Sequence, residues 1–169
     1  DYNKINIKYG ENPNQKAYFL KKNKFNIFNC QISGKAIGYN NILDISEGLD
    51  CLREFKDPTC VIIKHNNPCG VASNISIEKS YEKALGADPI SAFGGVVLFN
   101  KKINIRLAKK ISQKFYEIVV APKFDKGAYN ILKSKENLII IDSHNLKKNK
   151  GMSFKSVDTG VLYQEKNIT

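Results

Sequence analysis

Lys64 and His65 stand side by side where the apolar run Cys60-Val61-Ile62-Ile63 gives way to the polar string Lys64-His65-Asn66-Asn67-Pro68-Cys69-Gly70. The pair has the makings of acid–base chemistry. A His accepts a proton near neutral pH, and a neighbouring Lys offers a fixed positive charge to a developing oxyanion. The same residues also fit a plainer arrangement, with Lys snorkelling at a strand end and His bonded to a loop carbonyl. Taken locally, both readings stand.

Other chemistries fail on residue types. Zinc deaminases require H-x-E followed by P-C-x-x-C, the Glu moving the proton. Here His65 is followed by Asn66-Asn67, and Pro68-Cys69 by Gly70-Val71-Ala72, so both the Glu and the second Cys are missing. No metal site is expected. The patterns GxxxxGK[ST], GxGxxG and GxSxG do not occur, which excludes a P-loop, a dinucleotide fingerprint and a nucleophile elbow. His144 stands alone in a polar stretch and reads as a surface residue. Tyr9, Tyr39 and Phe93 lie in polar or Gly-rich strings, where an aromatic can stack on a planar ligand or anchor its own loop. Gly94-Gly95 permits close backbone approach to a ligand or a tight turn into a strand.

The elements that must position these residues follow from the hydrophobic pattern. Tyr9 to Gln15 is a loop punctuated by Gly10 and Pro13, and Ala17 to Leu20 is strand-like. Turns are expected at Ser33-Gly34-Lys35 and Gly38-Tyr39-Asn40-Asn41. Asp44 then caps a helix to Phe55, whose Ile45, Leu49, Leu52 and Phe55 share a face. Cys60 to Ile63 is a buried strand, and Lys64 to Gly70 a loop. Ser76 caps a helix to Leu85, with Gly86 beyond its end. Asp88 to Gly95 leads into the strand Val96 to Phe99. Asn104 caps a helix to about Phe115, Ile118 to Ala121 is a strand, Asp125 opens a helix to Lys133, and Leu138 to Ile141 is a further strand. Such alternation predicts an α/β domain with a largely parallel sheet flanked by helices. Ligands of open α/β sheets gather outside the carboxyl ends of the strands. The string Lys64 to Gly70 leaves such an end, whereas Asp88 to Gly95 enters a strand.

Composition narrows the partners. With 169 residues the chain amounts to one domain, or one piece of a larger one, and 42% hydrophobic content argues against intrinsic disorder. No apolar run reaches the roughly 18 residues of a membrane span, so no membrane partner is expected. The polar start Asp1 to Lys8 lacks an initiator Met and the chain runs out in Gln164 to Thr169, so it reads as a segment of a longer protein without a signal peptide. Cys30, Cys51, Cys60 and Cys69 form no CxxC, which suits a reducing, cytoplasmic setting. The formal charge is +11, yet only Arg53 and Arg106 among the 27 basic residues are Arg. Arg is the residue of bidentate phosphate and base-edge contacts, so no specific nucleic-acid partner is expected. A Lys-rich α/β module binding nucleic acid non-specifically is the competing function, one whose affinity would fall steeply with salt. His144 to Lys150 is the most flexible-looking insertion.

Five strings, in order, carry a family resemblance. They are Lys8-Tyr9-Gly10-Glu11-Asn12-Pro13-Asn14-Gln15, Gly38-Tyr39-Asn40-Asn41, Lys64 to Gly70, Ala87-Asp88-Pro89-Ile90-Ser91-Ala92-Phe93-Gly94-Gly95, and Ile118-Val119-Val120-Ala121-Pro122. From about Ile5 to Gln164 the chain resembles the bifunctional purine biosynthesis family that joins AICAR formyltransferase to IMP cyclohydrolase. The resemblance implies a three-layer α/β/α, cytidine-deaminase-like fold without the zinc site. It also implies that residues 1–169 are the N-terminal half of the formyltransferase domain, with the cyclohydrolase module and the second half lying elsewhere. The implied reaction is formyl transfer from 10-formyltetrahydrofolate, a co-substrate, to the 5-amino group of AICAR, in a cytoplasmic homodimer with its site at the subunit interface.

Residue by residue, Lys64 and His65 match the family's catalytic Lys-His pair, as transition-state stabiliser and proton acceptor. Lys8 and Tyr9 match its substrate-binding Arg-Tyr pair, and Gly94 its substrate-contacting Gly beside the aromatic Phe93. Two positions depart from the pattern. Lys8 keeps the charge of the usual Arg but loses its planar fork, and Asn14 stands where His is common.

Overall fold

Cys60 to Ile63, Val96 to Phe99, Ile118 to Ala121 and Ile139 to Ile141 are apolar at every position, a pattern that requires cover on both faces of each strand. The computed structural model, which describes residues 3–21, 25–146 and 151–165, gives them that cover. The strands are β1 (Asn3–Ile7), β2 (Ala17–Lys21), β3 (Gln31–Ser33), β4 (Thr59–Lys64), β5 (Asn67–Ser73), β6 (Val96–Phe99), β7 (Ile118–Ala121), β8 (Ile139–Asp142), β9 (Met152–Val157) and β10 (Gly160–Glu165). The helices are α1 (Tyr39–Leu52), α2 (Ile77–Ala87), α3 (Ile105–Ser112) and α4 (Lys126–Lys133), with a 3₁₀ turn over Ile27–Cys30.

Six strands form one sheet in the order β3-β8-β7-β6-β4-β5. Alternate residues of each central strand face opposite layers. Cys60, Ile62, Val97, Phe99, Val119 and Ile140 pack against α2, α3 and α4. Val61, Ile63, Leu98, Ile118, Val120 and Ile139 pack against α1 and the 3₁₀ turn, with Phe19 of the β1–β2 hairpin beside them. The result is three layers, α/β/α. The β9–β10 hairpin stands apart from this sheet, and its β10 is exposed throughout. Among the described residues no helix is long and apolar enough to cross a membrane.

The sheet corrects one expectation. It is mixed, with β6, β7 and β8 parallel, β4 antiparallel to both β6 and β5, and β3 antiparallel to β8. β5 occupies what the residues suggest is loop. Pro68 can sit there because β5 is an edge strand, and a bulge at Cys69 lets two β5 residues oppose one of β4.

Helix starts are right where a side chain closes the first turn: Ser76 accepts from the Lys79 N–H and Asn104 from the Leu107 N–H. Asp44 is not a cap. α1 begins at Tyr39 behind Gly38, so the expected turn Gly38 to Asn41 is its first turn and Asp44 lies inside it. Gly86 is likewise inside α2. His144 is exposed, and residues 147–150 of the expected flexible insertion lie outside the described residues.

Two glycines separate close packing from mere presence in an element. A Cβ on Gly70 would lie 2.1 Å from the Ala84 carbonyl oxygen, so β5 and α2 touch through backbone there. A Cβ on Gly86 would meet nothing within 4 Å. Gly70→Ala should therefore lower stability by about 1–3 kcal/mol through overpacking, whereas Gly86→Ala should raise it by about 0.5–1 kcal/mol. Thermal or urea unfolding of the two variants checks the opposite signs.

Candidate functional site

Antiparallel pairing of β4 with β6 sets Ile63 opposite Val96, and parallel pairing aligns Val96 with Ile118 and Ile118 with Ile139. The carboxyl end of β4 therefore lies at the amino ends of β6, β7 and β8. Lys64-His65 and the string that enters β6 meet at one end of the sheet for that reason, although one leaves a strand and the other enters one.

Lys64 is partly buried, and its Nζ donates to the Gly94 carbonyl at 2.9 Å. The contact depends on glycine. Gly94 has φ +67°, and a Cβ there would sit 3.1 Å from Lys64 Nζ and 3.4 Å from the Phe115 ring. A Cβ on Gly95 would lie 2.7 Å from the Ile63 carbonyl oxygen. The loop is also tied to β7: Gly94 N–H donates to Phe115 O at 2.8 Å, and Glu117 N–H to Gly95 O at 3.0 Å.

His65 and Asn66 form the two-residue turn between β4 and β5, with Lys64 paired to Asn67 across it. Their φ angles are +51° and +63°, the left-handed pair of a type I′ turn. Asn tolerates this region and His is enriched there. The Asn67 side chain donates to the His65 carbonyl at 3.0 Å, and the Asn66 N–H donates to Asp44 Oδ1 at 2.7 Å. His65 itself is exposed.

Phe93 is 66% exposed and Phe115 54%, with their ring centroids 5.0 Å apart, an aromatic shelf beside Gly94. A crevice of about 400 Å³ continues from it, lined by Lys35, Lys114, Phe115, Glu117, Lys135 and Leu138. At the start of α1, Asn41 Nδ2 donates to Glu117 Oε2 at 3.2 Å, and Asn40 Nδ2 to the Glu11 carbonyl at 3.3 Å. That last bond links the loop after β1 to the same end of the sheet. Lys8 and Tyr9 lie on that loop, exposed, with Lys8 Nζ 5.8 Å from the Tyr9 ring centroid. No hydrogen bond or ring contact among the described residues joins them to Lys64 or His65.

The structure thus joins Lys64 directly to Gly94, with Phe93 and His65 as chain neighbours, and leaves Lys8 and Tyr9 as a separate pair. Asp44 and Glu117 are the residues that sequence reasoning missed. Their carboxyls come to the site across the fold, and no local spacing signals them. Cys60 is fully buried, its thiol pushed up by that burial, and Cys69 donates its S–H to the Ile62 carbonyl.

Comparison with known proteins identifies the family of the chain. A family model described as AICARFT/IMPCHase bienzyme matches residues 2–169. The chain belongs to that family. It is 47% identical over 168 residues to the bifunctional purine biosynthesis protein PurH of Caldicellulosiruptor bescii, covering 95% of this chain and 33% of that one. The PurH of Buchnera aphidicola subsp. Schizaphis graminum is 44% identical over 170 residues, covering 96% and 32%. The chain spans about a third of the length of these curated relatives. Among solved structures, a formate dehydrogenase accessory protein from Desulfotalea psychrophila is similar in fold alone, with a TM-score of 0.50, 10% identity, and 58% of this chain and 50% of that chain covered. In this member of the AICARFT/IMPCHase bienzyme family Lys8 is exposed, with room around it for the longer side chain of an Arg.

Burial raises the Asp44 carboxyl above its ordinary range; the Asn66 N–H, His65 and Lys64 pull it back, and Glu117 pushes it further up. A raised value means that folding favours the neutral acid. The contribution of Asp44 to stability is then greatest below the ordinary Asp range and declines as pH rises through the raised value. Glu117→Gln should lower the Asp44 pKa and Lys64→Met should raise it, measured by carboxyl ¹³C titration. Asp44 titrating below the ordinary Asp range would show that burial is not the governing cause.

Proposed function

We propose that this chain is the part of an AICAR formyltransferase that carries the acid–base pair, acting in formyl transfer from 10-formyltetrahydrofolate to the 5-amino group of AICAR. One observation supports this above the others: the Lys64 ammonium is held 2.9 Å from the Gly94 carbonyl, at the foot of the left-handed turn that presents His65.

The chemistry asks for such a pair. The amine lone pair of AICAR is delocalised into its imidazole and carboxamide, so attack on the formyl carbon needs a base for the amine proton. It also needs a cation for the tetrahedral oxyanion. His65, exposed on its turn, takes the amine proton as the new C–N bond forms. Lys64 has three donors, of which Gly94 holds one, so the others are available to the oxyanion. When the intermediate collapses, the bond to N10 of the folate breaks and that nitrogen takes the proton that His65 removed from the amine, which returns His65 to its neutral form.

Lys8 and Tyr9 are proposed to bind the nucleotide, Lys8 facing its phosphate, while Phe93 and Gly94 form the shelf on which a planar ring stacks. The parent is proposed to be a cytoplasmic homodimer that is also an IMP cyclohydrolase, with residues 1–169 the first half of its formyltransferase domain. Support comes from the relatives, which are about three times this length, and from the exposure of His65 and Phe93, which suits a site completed by another surface. The three layers are proposed to be a cytidine-deaminase-like fold that lacks the zinc ligands.

In the full-length enzyme, Lys64→Ala and His65→Ala should each lower kcat for formyl transfer by about 10²–10³-fold. Steady-state assays with AICAR and 10-formyltetrahydrofolate decide it. Activity near wild type in either variant removes that residue from the mechanism.

A further inference from the structure

His65 and Asn66 are the non-glycine residues with positive φ among the described residues, and they are consecutive. Left-handed backbone is unfavourable for a residue that carries a Cβ unless its surroundings hold it. Pairing of Lys64 with Asn67 closes the turn, and the Asn67 side chain donates to the His65 carbonyl within it. Among the described residues, the hydrogen bond that reaches the tip from outside the hairpin is Asn66 N–H to Asp44 Oδ1, at 2.7 Å and 22 residues away in sequence. A donor–acceptor distance of 2.7 Å is at the short end of the range for N–H···O bonds.

Asp44 is well placed to act as a fixed point. It lies in α1 next to Ile45, which is 1% exposed, and α1 is seated on the sheet at Gly48, where a Cβ would lie 2.4 Å from Leu98 Cδ1 and 3.0 Å from Ile63 Cγ1. Ile63 immediately precedes Lys64. The helix that carries Asp44 and the strand that carries the Lys-His pair are therefore locked together one residue short of the pair. Asn41, a turn earlier on α1, reaches Glu117, whose N–H holds the Gly95 carbonyl beside the Gly94 that binds Lys64. One helix thus braces both halves of the site.

We infer that Asp44 is a positioning residue for formyl transfer: by holding the Asn66 N–H it keeps the left-handed turn in the conformation that aims His65 at the substrate amine. The inference rests on the formyltransferase reading above. Asp44 acts through His65 and touches no substrate, so its loss affects the chemical step rather than AICAR binding. Misplacement of a reacting group by about 1 Å can cost on the order of 10²-fold.

The test uses the full-length enzyme. Asp44→Ala should lower kcat about 10- to 100-fold with KM for AICAR within about twofold. Asp44→Asn, which keeps an oxygen for the Asn66 N–H, should recover most of that loss. The double variant Asp44→Ala with His65→Ala should be no slower than His65→Ala alone, as expected for residues acting as a unit. Hydrogen exchange at the Asn66 amide should quicken in Asp44→Ala and stay slow in Asp44→Asn, a readout independent of activity. If His65→Ala is inactive while Asp44→Ala turns over like wild type, the positioning role is wrong and the formyltransferase reading stands. If His65→Ala itself is fully active, the acid–base role of His65 and the positioning role that rests on it both fail, and if the unsubstituted enzyme transfers no formyl group to AICAR, the formyltransferase reading fails. Should Asp44→Ala not fold, Asp44→Asn decides: a kcat down tenfold or more with slow Asn66 exchange overturns the role, and a kcat near wild type with slow exchange supports it.

Discussion

Antiparallel pairing between β4 and β6 is the constraint on which the site depends. In an all-parallel sheet the end of β4 and the start of β6 would lie at opposite edges, separated by the length of a strand. Reversing β4 instead sets Ile63 against Val96, so Lys64, the last residue of β4, reaches the carbonyl of Gly94, two residues before β6 begins. The same register brings Glu117 to the site, because β7 starts level with β6. The reversal needs little chain. β4 turns back through two residues into β5, and α2 with the string 88–95 spans the distance to β6.

Rigidity at this end comes from close backbone approach on both faces. α1 sits at Gly48 over Leu98 and Ile63, while α2 sits at Gly70 against the Ala84 carbonyl. A side chain at Gly70 would meet fixed backbone, whereas one at Gly48 would require Leu98 and Ile63 to repack. Below the turn, the Tyr116 hydroxyl donates to the buried Tyr81 hydroxyl at 3.2 Å, pinning the segment that carries Phe115 and Glu117 to α2. The strained residues, His65 and Asn66, thus project from a frame with little freedom to relax. In that setting a left-handed turn holds a side chain in place rather than swinging it.

What could be read from the residues was what a single interaction determines. Val96 to Phe99 and Ile118 to Ala121 are apolar throughout because both faces are covered, and they are strands as expected. Ser76 and Asn104 cap because one side-chain oxygen satisfies one N–H, a local event. What could not be read depends on partners far along the chain. β5 contains Pro68 and Gly70, which signal a loop, and it is a strand only because β4 offers an edge on which Pro68 needs no donor. Asp44 precedes an apolar face and so resembles a cap, while its carboxylate serves a turn 22 residues on. The strand directions were equally hidden, since a buried apolar run reads the same in either orientation. The polar strings of the site were legible only as a family pattern.

Charge at the site is organised locally and owes little to the +11 of the whole chain. Most lysines are exposed and spread over the surface, where charges more than about 8 Å apart are largely screened at physiological salt. Near Lys64 and His65 stand Asp44 and Glu117, two carboxyls facing two basic groups. The medium decides what such an arrangement can do. Unit charges 4 Å apart interact by about 1 kcal/mol in bulk water and about 4 kcal/mol at an effective dielectric of 20. An oxyanion interaction worth 10²–10³ in rate corresponds to about 2.7–4 kcal/mol, which lies at the sheltered end of that range. His65 and the Phe93–Phe115 shelf are open to water. Under the proposed reading, Lys64 reaches its full effect only once planar substrates cover the shelf and water leaves. The partly buried ammonium, already fixed by Gly94, needs no rearrangement when that happens.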